Sequence, residues 1–290
     1  MRKFFPVIAT FLCVASIQAA WLPLSKTFIG NDTFQKIMRQ GVAENWAALP
    51  IGERTTRVGL ALVGTPYVNY TLELDNRLES PCVNFRGMDC WTFFETSLAC
   101  ARLLKVKGPP YSQEDLLAMI EMDRYRGGHC NGKFTSRLHH LEDWAYDNGN
   151  RGKVRDITQS LGGVPLHRHI TDMVSTWRMY RQLRANPSQV DFIRNVEINL
   201  SRRGIYYIPK AKVSRIESKL QNGDIICIVS SSPGDYTSHV GMVYRDGLGR
   251  VHFLHASKNH RHVLVDVRLS EYLAHFRKDQ GIMVVRPNEA

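Results

Sequence analysis

The chain has 290 residues, of which 43% are apolar and 10% aromatic, and it carries a formal net charge of +11. This composition excludes disordered and fibrous classes and supplies enough apolar surface for a sizeable core. The positive charge points to an anionic surface or polymer. Without a Lys/Arg run, zinc-finger spacing or RNA-binding signature, nucleic acid is not an expected partner.

At the N-terminus, Arg2 and Lys3 precede an apolar stretch from Phe4 to Ile17, then Gln18-Ala19-Ala20. The pattern is that of a secretory signal peptide over residues 1–20, with cleavage after Ala19 or Ala20. The stretch is short for a membrane span, and no later segment is long and apolar enough for one. The expected product is periplasmic or secreted, with no stable membrane span after signal cleavage. Residues 21–290 are expected to form a single domain with a helical insertion at about 111–203.

Phe34, Ile37, Met38 and Val42 recur at helical spacing in a lead-in over residues 21–60. A loop with Gly64-Thr65-Pro66-Tyr67 and a turn-rich stretch over 80–87 follow. The pattern predicts a helix over 89–104, stopped by Gly108-Pro109-Pro110, and another over 112–124 capped by Ser112 with Asp115 three residues on. Further helices are expected over 134–148, 170–185 and 190–201. From Gly204 the pattern changes to strands over 205–208, 224–230, 239–244, 251–256 and 281–285. Helices first and an antiparallel sheet later make an α+β layout.

Removing Cys13 with the signal peptide leaves Cys82, Cys90, Cys100, Cys130 and Cys227, an odd set, so an oxidising compartment leaves at least one free thiol. Cys100 and Cys227 lie in apolar core patterns. Cys82 and Cys130 lie in loops and are the candidates for a disulfide. There is no Cys-x-x-Cys pair, and the histidines at 252, 255, 260 and 262 lack partner thiolates or His-Glu-x-x-His spacing. No metal and no cofactor is therefore expected.

Cys90 is the candidate nucleophile. Asp89 is a good N-cap residue, and Trp91, Phe94, Leu98 and Ala101 follow at helical spacing. Cys90 then occupies the first helical position, where free N–H groups and the helix dipole favour a thiolate and can hold an oxyanion. Downstream, Ser238-His239-Val240-Gly241 and His255-Ala256-Ser257 lie on adjacent strands of a hairpin. Pairing Tyr244 with Arg250 sets His239 opposite His255 on one face, with Cβ atoms about 5 Å apart. A one-residue slip would separate them. A thiol, an imidazole base and a second imidazole to orient the first are the components of a cysteine hydrolase.

These elements, with Gly64-Thr65-Pro66-Tyr67 and Arg86-Gly87-Met88-Asp89-Cys90-Trp91-Thr92-Phe93, resemble the NlpC/P60-like superfamily of papain-type cysteine peptidases. More closely, they resemble the N-acetylmuramoyl-L-alanine amidase-like family (DUF1460). Ser136 to Trp144 resembles that family's helical insertion, and the likeness covers roughly residues 55–285. It implies a papain-like α+β fold and a peptidoglycan or muropeptide substrate. It also implies Cys90 as nucleophile, His239 as base, His255 as the third polar residue and Tyr67 as a residue lining the site. Trp91 departs from the family's pattern of small residues beside the cysteine and bears on pocket shape. Arg137 and His139, in the insertion, are candidates for lining the cleft or for a solvated helix face.

The expected activity is cleavage of a peptidoglycan amide, muramoyl–alanine or within the stem peptide, through a Cys90 thioester. A cysteine acyltransferase of the same architecture and a non-catalytic wall-binding protein are the alternatives.

Overall fold

The computed structural model describes residues 21–289, so the expected signal peptide lies outside the described residues. Helices α1 (Asn31–Ala43), α2 (Ile51–Ala61), α3 (Cys90–Val106) and α4 (Gln113–Arg124) come first. The α3 start is a reciprocal cap. The Asp89 carboxylate accepts the Thr92 N–H at 2.8 Å, and the Thr92 hydroxyl accepts the Asp89 N–H at 3.0 Å. Ser112 and Asp115 cap α4 in the same way. Every residue from Thr92 to Leu104 is buried, so α3 is a core helix surrounded on all sides.

Two buried ion pairs tie α3 to α4. Arg124 Nε lies 2.7 Å from Glu95 Oε2, and Arg102 pairs with Asp123. All four side chains are fully buried. Arg124 also donates to the Cys82 carbonyl at 2.8 Å. Glu95→Ala would leave the Arg124 charge uncompensated in the core, and we expect a loss of about 3–5 kcal/mol. Thermal unfolding should move down by on the order of 10 °C.

The second half supplies α5 (Leu141–Asn150), β1 (Val154–Asp156), β2 (Val164–Leu166), α6 (Val190–Arg203), β3 (Ile205–Pro209) and α7 (Lys210–Ile216). Strands β4 (Ile225–Ser230), β5 (Thr237–Arg245), β6 (Val251–Ser257) and β7 (His262–Arg268), helix α8 (Leu269–His275) and strand β8 (Asp279–Pro287) complete the chain. The eight strands form one sheet in the order β2-β3-β8-β4-β5-β6-β7, with β1 also on β8. Every pairing in it is antiparallel.

Both faces of the sheet's centre are covered. Ile225, Cys227 and Val229 on β4 join the cluster built with α1 to α4, whereas Ile226 and Ile228 join the one that includes Val213 and Ile216 of α7 and Leu269 and Leu273 of α8. That is why β4 reads as an unbroken apolar run. The α+β class agrees with the sequence reading. Among the described residues, no helix is long and apolar enough to cross a membrane.

Four expectations change. Residues 134–148 are not one helix: Phe134–Ser136 make a single 3-10 turn, and α5 starts at Leu141. Arg137 pairs with Tyr125 as a bridge and the Leu138 N–H donates to the Arg124 carbonyl, so tertiary backbone pairing holds this stretch extended. Residues 170–185 break into turns at 172–175, 177–179 and 181–185. Glu197 of α6 accepts the Met173 N–H at 2.7 Å and so fixes the first of these turns. Strands β1, β2 and β7 were not expected. Finally, Cys82 and Cys130 are both buried free thiols rather than a disulfide. Each is directed at a different carbonyl, Cys82 at Thr71 (3.9 Å) and Cys130 at Glu79 (3.5 Å).

The segment expected as an insertion divides. Helix α4 packs into the main core through Leu116, Leu117 and Ile120. A separate small cluster forms from Phe134, Met173, Leu183, Val190 and Ile193.

Candidate active site

Cys90 is the first residue of α3, as expected, and is half-buried and free. The N–H groups of Val240, Trp91 and Cys90 itself are directed at the sulfur and favour its thiolate. Burial opposes them more strongly, and the Asp89 carboxylate adds to it, so the thiol is pushed up to about 12. The expected thiolate-favouring helix terminus is thus outweighed, and the resting side chain is a neutral thiol. The Val240 contact sets the sulfur against the peptide that follows His239.

The hairpin register differs from expectation by two residues. Met242 faces Leu254, Tyr244 faces His252 and Arg245 faces Val251. A two-residue shift preserves the face, so His239 and His255 still project together, as diagonal rather than direct neighbours. Gly241 makes room for this. A Cβ there would come within 2.7 Å of His255 Cβ and 2.6 Å of the Phe253 ring.

The two imidazoles are hydrogen-bonded, His239 Nε2 to His255 Nδ1 at 2.7 Å, and His255 Nε2 lies 3.1 Å from Asp266 Oδ2 on β7. The carboxylate dictates both tautomers. Asp266 can only accept, so His255 carries its proton on Nε2 and offers a lone pair at Nδ1. His239 must then donate from Nε2, which leaves Nδ1 of His239 as an unprotonated base. The hydrogen bond from His255 holds the Asp266 carboxyl below its ordinary value. Burial, with His255 beside it, pulls His239 down to about 3, so its ring is neutral at rest. Aromatic rings fix the geometry. Phe253 stacks on His255 at 4.5 Å between centroids, and Tyr272 of α8 lies parallel to His239 at 6.4 Å.

Asp266 is therefore a positioning residue. In Asp266→Asn the amide can donate to His255 Nε2 and reverse both tautomers. We expect kcat/KM to fall by about 100-fold, at the lower end of general-base losses because the effect passes through two rings. A pH–rate profile whose shape changes in this variant separates tautomer control from simple loss of stability.

Cys90, Trp91 and His239 line a cavity of about 200 Å³, together with His139, His140, Leu141, Asp172, Met173, Tyr180, Asp235, Thr237, Ser238 and Val240. Its walls come from two parts of the chain: the α3 start and β5 on one side, and the 139–180 segment on the other. His255 stands behind His239 rather than in the cavity. Tyr67 lies beside Cys90 and Asp89, on a backbone bridge to Met88. His139 faces the cavity, its ring tilted against that of Phe134 at 4.1 Å between centroids and its Nε2 2.9 Å from the Phe134 carbonyl oxygen. Arg137 does not line the cavity. It is buried, paired with Glu73 at 2.9 Å and stacked over Phe134 at 5.0 Å.

Sequence reasoning missed Asp266, Tyr272, His140 and Asp235. Asp266 had a readable signal: in His262-Val263-Leu264-Val265-Asp266-Val267, valines alternate with the face that carries Asp266. The other three are brought in by tertiary packing.

The family profile described as N-acetylmuramoyl-L-alanine amidase-like matches residues 57–282. A crystal structure of an N-acetylmuramoyl-L-alanine amidase from Bacteroides uniformis superposes with a TM-score of 0.74 at 30% identity, covering 82% of this chain and 99% of that one. A Bacteroides fragilis protein described as a candidate xylanase gives 0.72 at 32% identity, covering 79% and 99%. A Legionella pneumophila protein of the DUF1460 family gives 0.65 at 19% identity, covering 89% and 95%, and shows the fold alone. No curated protein matches the chain. The chain belongs to the N-acetylmuramoyl-L-alanine amidase-like family.

Proposed function

We propose that this protein is an exported, papain-type (NlpC/P60-like) cysteine amidase or endopeptidase that cleaves an amide bond in peptidoglycan. The observation that carries this reading is the Asp266–His255–His239 relay, whose free Nδ1 belongs to a ring that lines the same cavity as Cys90. A net charge of +11 suits attraction to an anionic wall.

The resting pair is neutral, so proton transfer accompanies attack. His239 Nδ1 takes the Cys90 proton as the sulfur adds to the amide carbonyl carbon. The N–H groups at the α3 start stabilise the oxyanion. The C–N bond breaks as His239 returns that proton to the leaving nitrogen, which gives a thioester and a free amine. His239 then deprotonates a water, which attacks the thioester. The acid departs and Cys90 regains its proton. The charge that appears on His239 is balanced through His255 by Asp266.

The test is digestion of purified peptidoglycan with mass spectrometry of the products. Release of free stem peptide identifies the muramoyl–alanine bond, and shortened muropeptides identify a bond within the stem. Wall material left unchanged by folded protein overturns the reading. Products carrying an added amine in place of water identify an acyltransferase.

A further inference from the structure

A second group of side chains opens on the same cavity and takes no part in the relay. His140 caps the N-terminal end of α5, Glu142 lies in its first turn, and Asp235 lies in the turn before β5. One ligand atom from each of the three lies within 4.8 Å of the other two. His140 and Asp235 line the cavity that holds Cys90, and Glu142 sits behind them.

The group is unusual in what its members lack. Glu142 is only 3% exposed, and the groups that approach its carboxylate are the Thr237 hydroxyl and its own main-chain N–H, neither of which completes a well-formed hydrogen bond. His140 is 6% exposed, and its Nε2 makes no hydrogen bond, with the Glu197 carboxylate 3.9 Å away. Neither Glu142 nor Asp235 has an ion-pair partner among the described residues. The nearby guanidinium of Arg203 is engaged elsewhere: it donates to the Glu142 main-chain carbonyl at 3.2 Å and faces Asp143 at 3.8 Å. Asp235 Oδ1 accepts the Tyr236 N–H at 2.7 Å, and the Thr237 N–H also faces its carboxylate. Buried polar atoms are ordinarily satisfied, and buried carboxylates are ordinarily paired. Two adjacent carboxylates and an open imidazole nitrogen in one buried corner define a place for a cation.

We propose that His140, Glu142 and Asp235 form a binding site for a divalent metal ion of the zinc class. An imidazole with two carboxylates is a donor set for such an ion, whereas calcium and magnesium favour all-oxygen shells. Ligands at about 2.0–2.1 Å around a tetrahedral centre stand roughly 3.4 Å apart, so atoms within 4.8 Å of one another need to close by at most about 1.4 Å. Three protein ligands leave a fourth position, and two of the ligands face the cavity. That position takes an oxygen of whatever occupies the cavity. No metal motif appears in the sequence because the third donor comes from a segment almost a hundred residues away. The site does not depend on Cys90 being a nucleophile.

The test is metal uptake by the purified protein after chelator treatment. Dialysis against Zn²⁺ and elemental analysis should give one ion per chain, retained in Cys90→Ala and weakened at least tenfold in the near-isosteric Glu142→Gln and in His140→Ala. Because His140→Ala removes a buried side chain at the start of α5, Co²⁺ substitution in the unmutated protein is an independent readout. It should give the visible bands of a four-coordinate nitrogen–oxygen site without the intense near-ultraviolet thiolate band. Loss of uptake in Cys90→Ala, a thiolate band, unchanged uptake in Glu142→Gln, or no retained ion overturns the site. So does a thermal shift with methylammonium but none with Zn²⁺, which would assign the corner to an amine. None of these results bears on wall cleavage, so the two proposals fail separately.

Discussion

Cys90→Ala is expected to lower kcat/KM on muropeptides by about 10⁴–10⁶-fold while leaving the unfolding temperature nearly unchanged, the loss expected when a covalent nucleophile is removed. The substitution deletes one half-buried sulfur atom, and the α3 cap depends on Asp89 and Thr92 rather than on Cys90. The unsubstituted thiol has its own signature. With burial holding it up at about 12, its alkylation by iodoacetamide should keep accelerating with pH across the neutral and alkaline range, with no plateau near neutrality. A plateau near neutral pH would mean a preformed thiolate–imidazolium pair and would overturn the neutral resting state. A Cys90→Ala protein that still releases wall fragments would overturn the nucleophile.

His239→Ala should cost about 10⁴-fold in kcat/KM, the upper end for general acid–base catalysis, because in the proposed mechanism the same ring acts in both halves of the reaction. Without it the thiol keeps its raised value and loses its proposed proton acceptor, so residual activity should rise steeply with pH and be partly rescued by added imidazole. In the intact protein the sign runs the other way on the acid side. A ring lowered to about 3 remains an unprotonated base above that value and loses this role only as pH falls through it. The acid limb of kcat/KM should therefore lie well below 6.5. A limb at or above 6.5 would show that His239 is not shielded as its burial requires.

The hairpin shows how sequence reading works and where it stops. Strand alternation is a local property, so the shared face of His239 and His255 followed from their spacing alone. The register did not, because two residues of slip leave the pattern of faces intact and change only which pairs are opposite. What set it was the absence of a side chain at Gly241, which lets His255 and Phe253 approach. The 134–148 stretch fails for the complementary reason. Its apolar residues suit a helix, yet backbone pairing of Arg137 and Leu138 with the end of α4 is available only once α4 is in place.

Local sequence was enough to specify the α+β class, the capped start of α3 with Cys90 at its first position, and the common face of the two histidines. Each of these depends on residues within a turn or a strand of one another, where capping and side-chain periodicity operate. Tertiary structure alone decided the protonation states, because burial by distant segments neutralises both Cys90 and His239. It alone also brought Asp266 behind His255 and Asp235 beside His140 and Glu142. Such convergence arises from strand pairing and chain reversal, whose partners no local pattern of residues specifies.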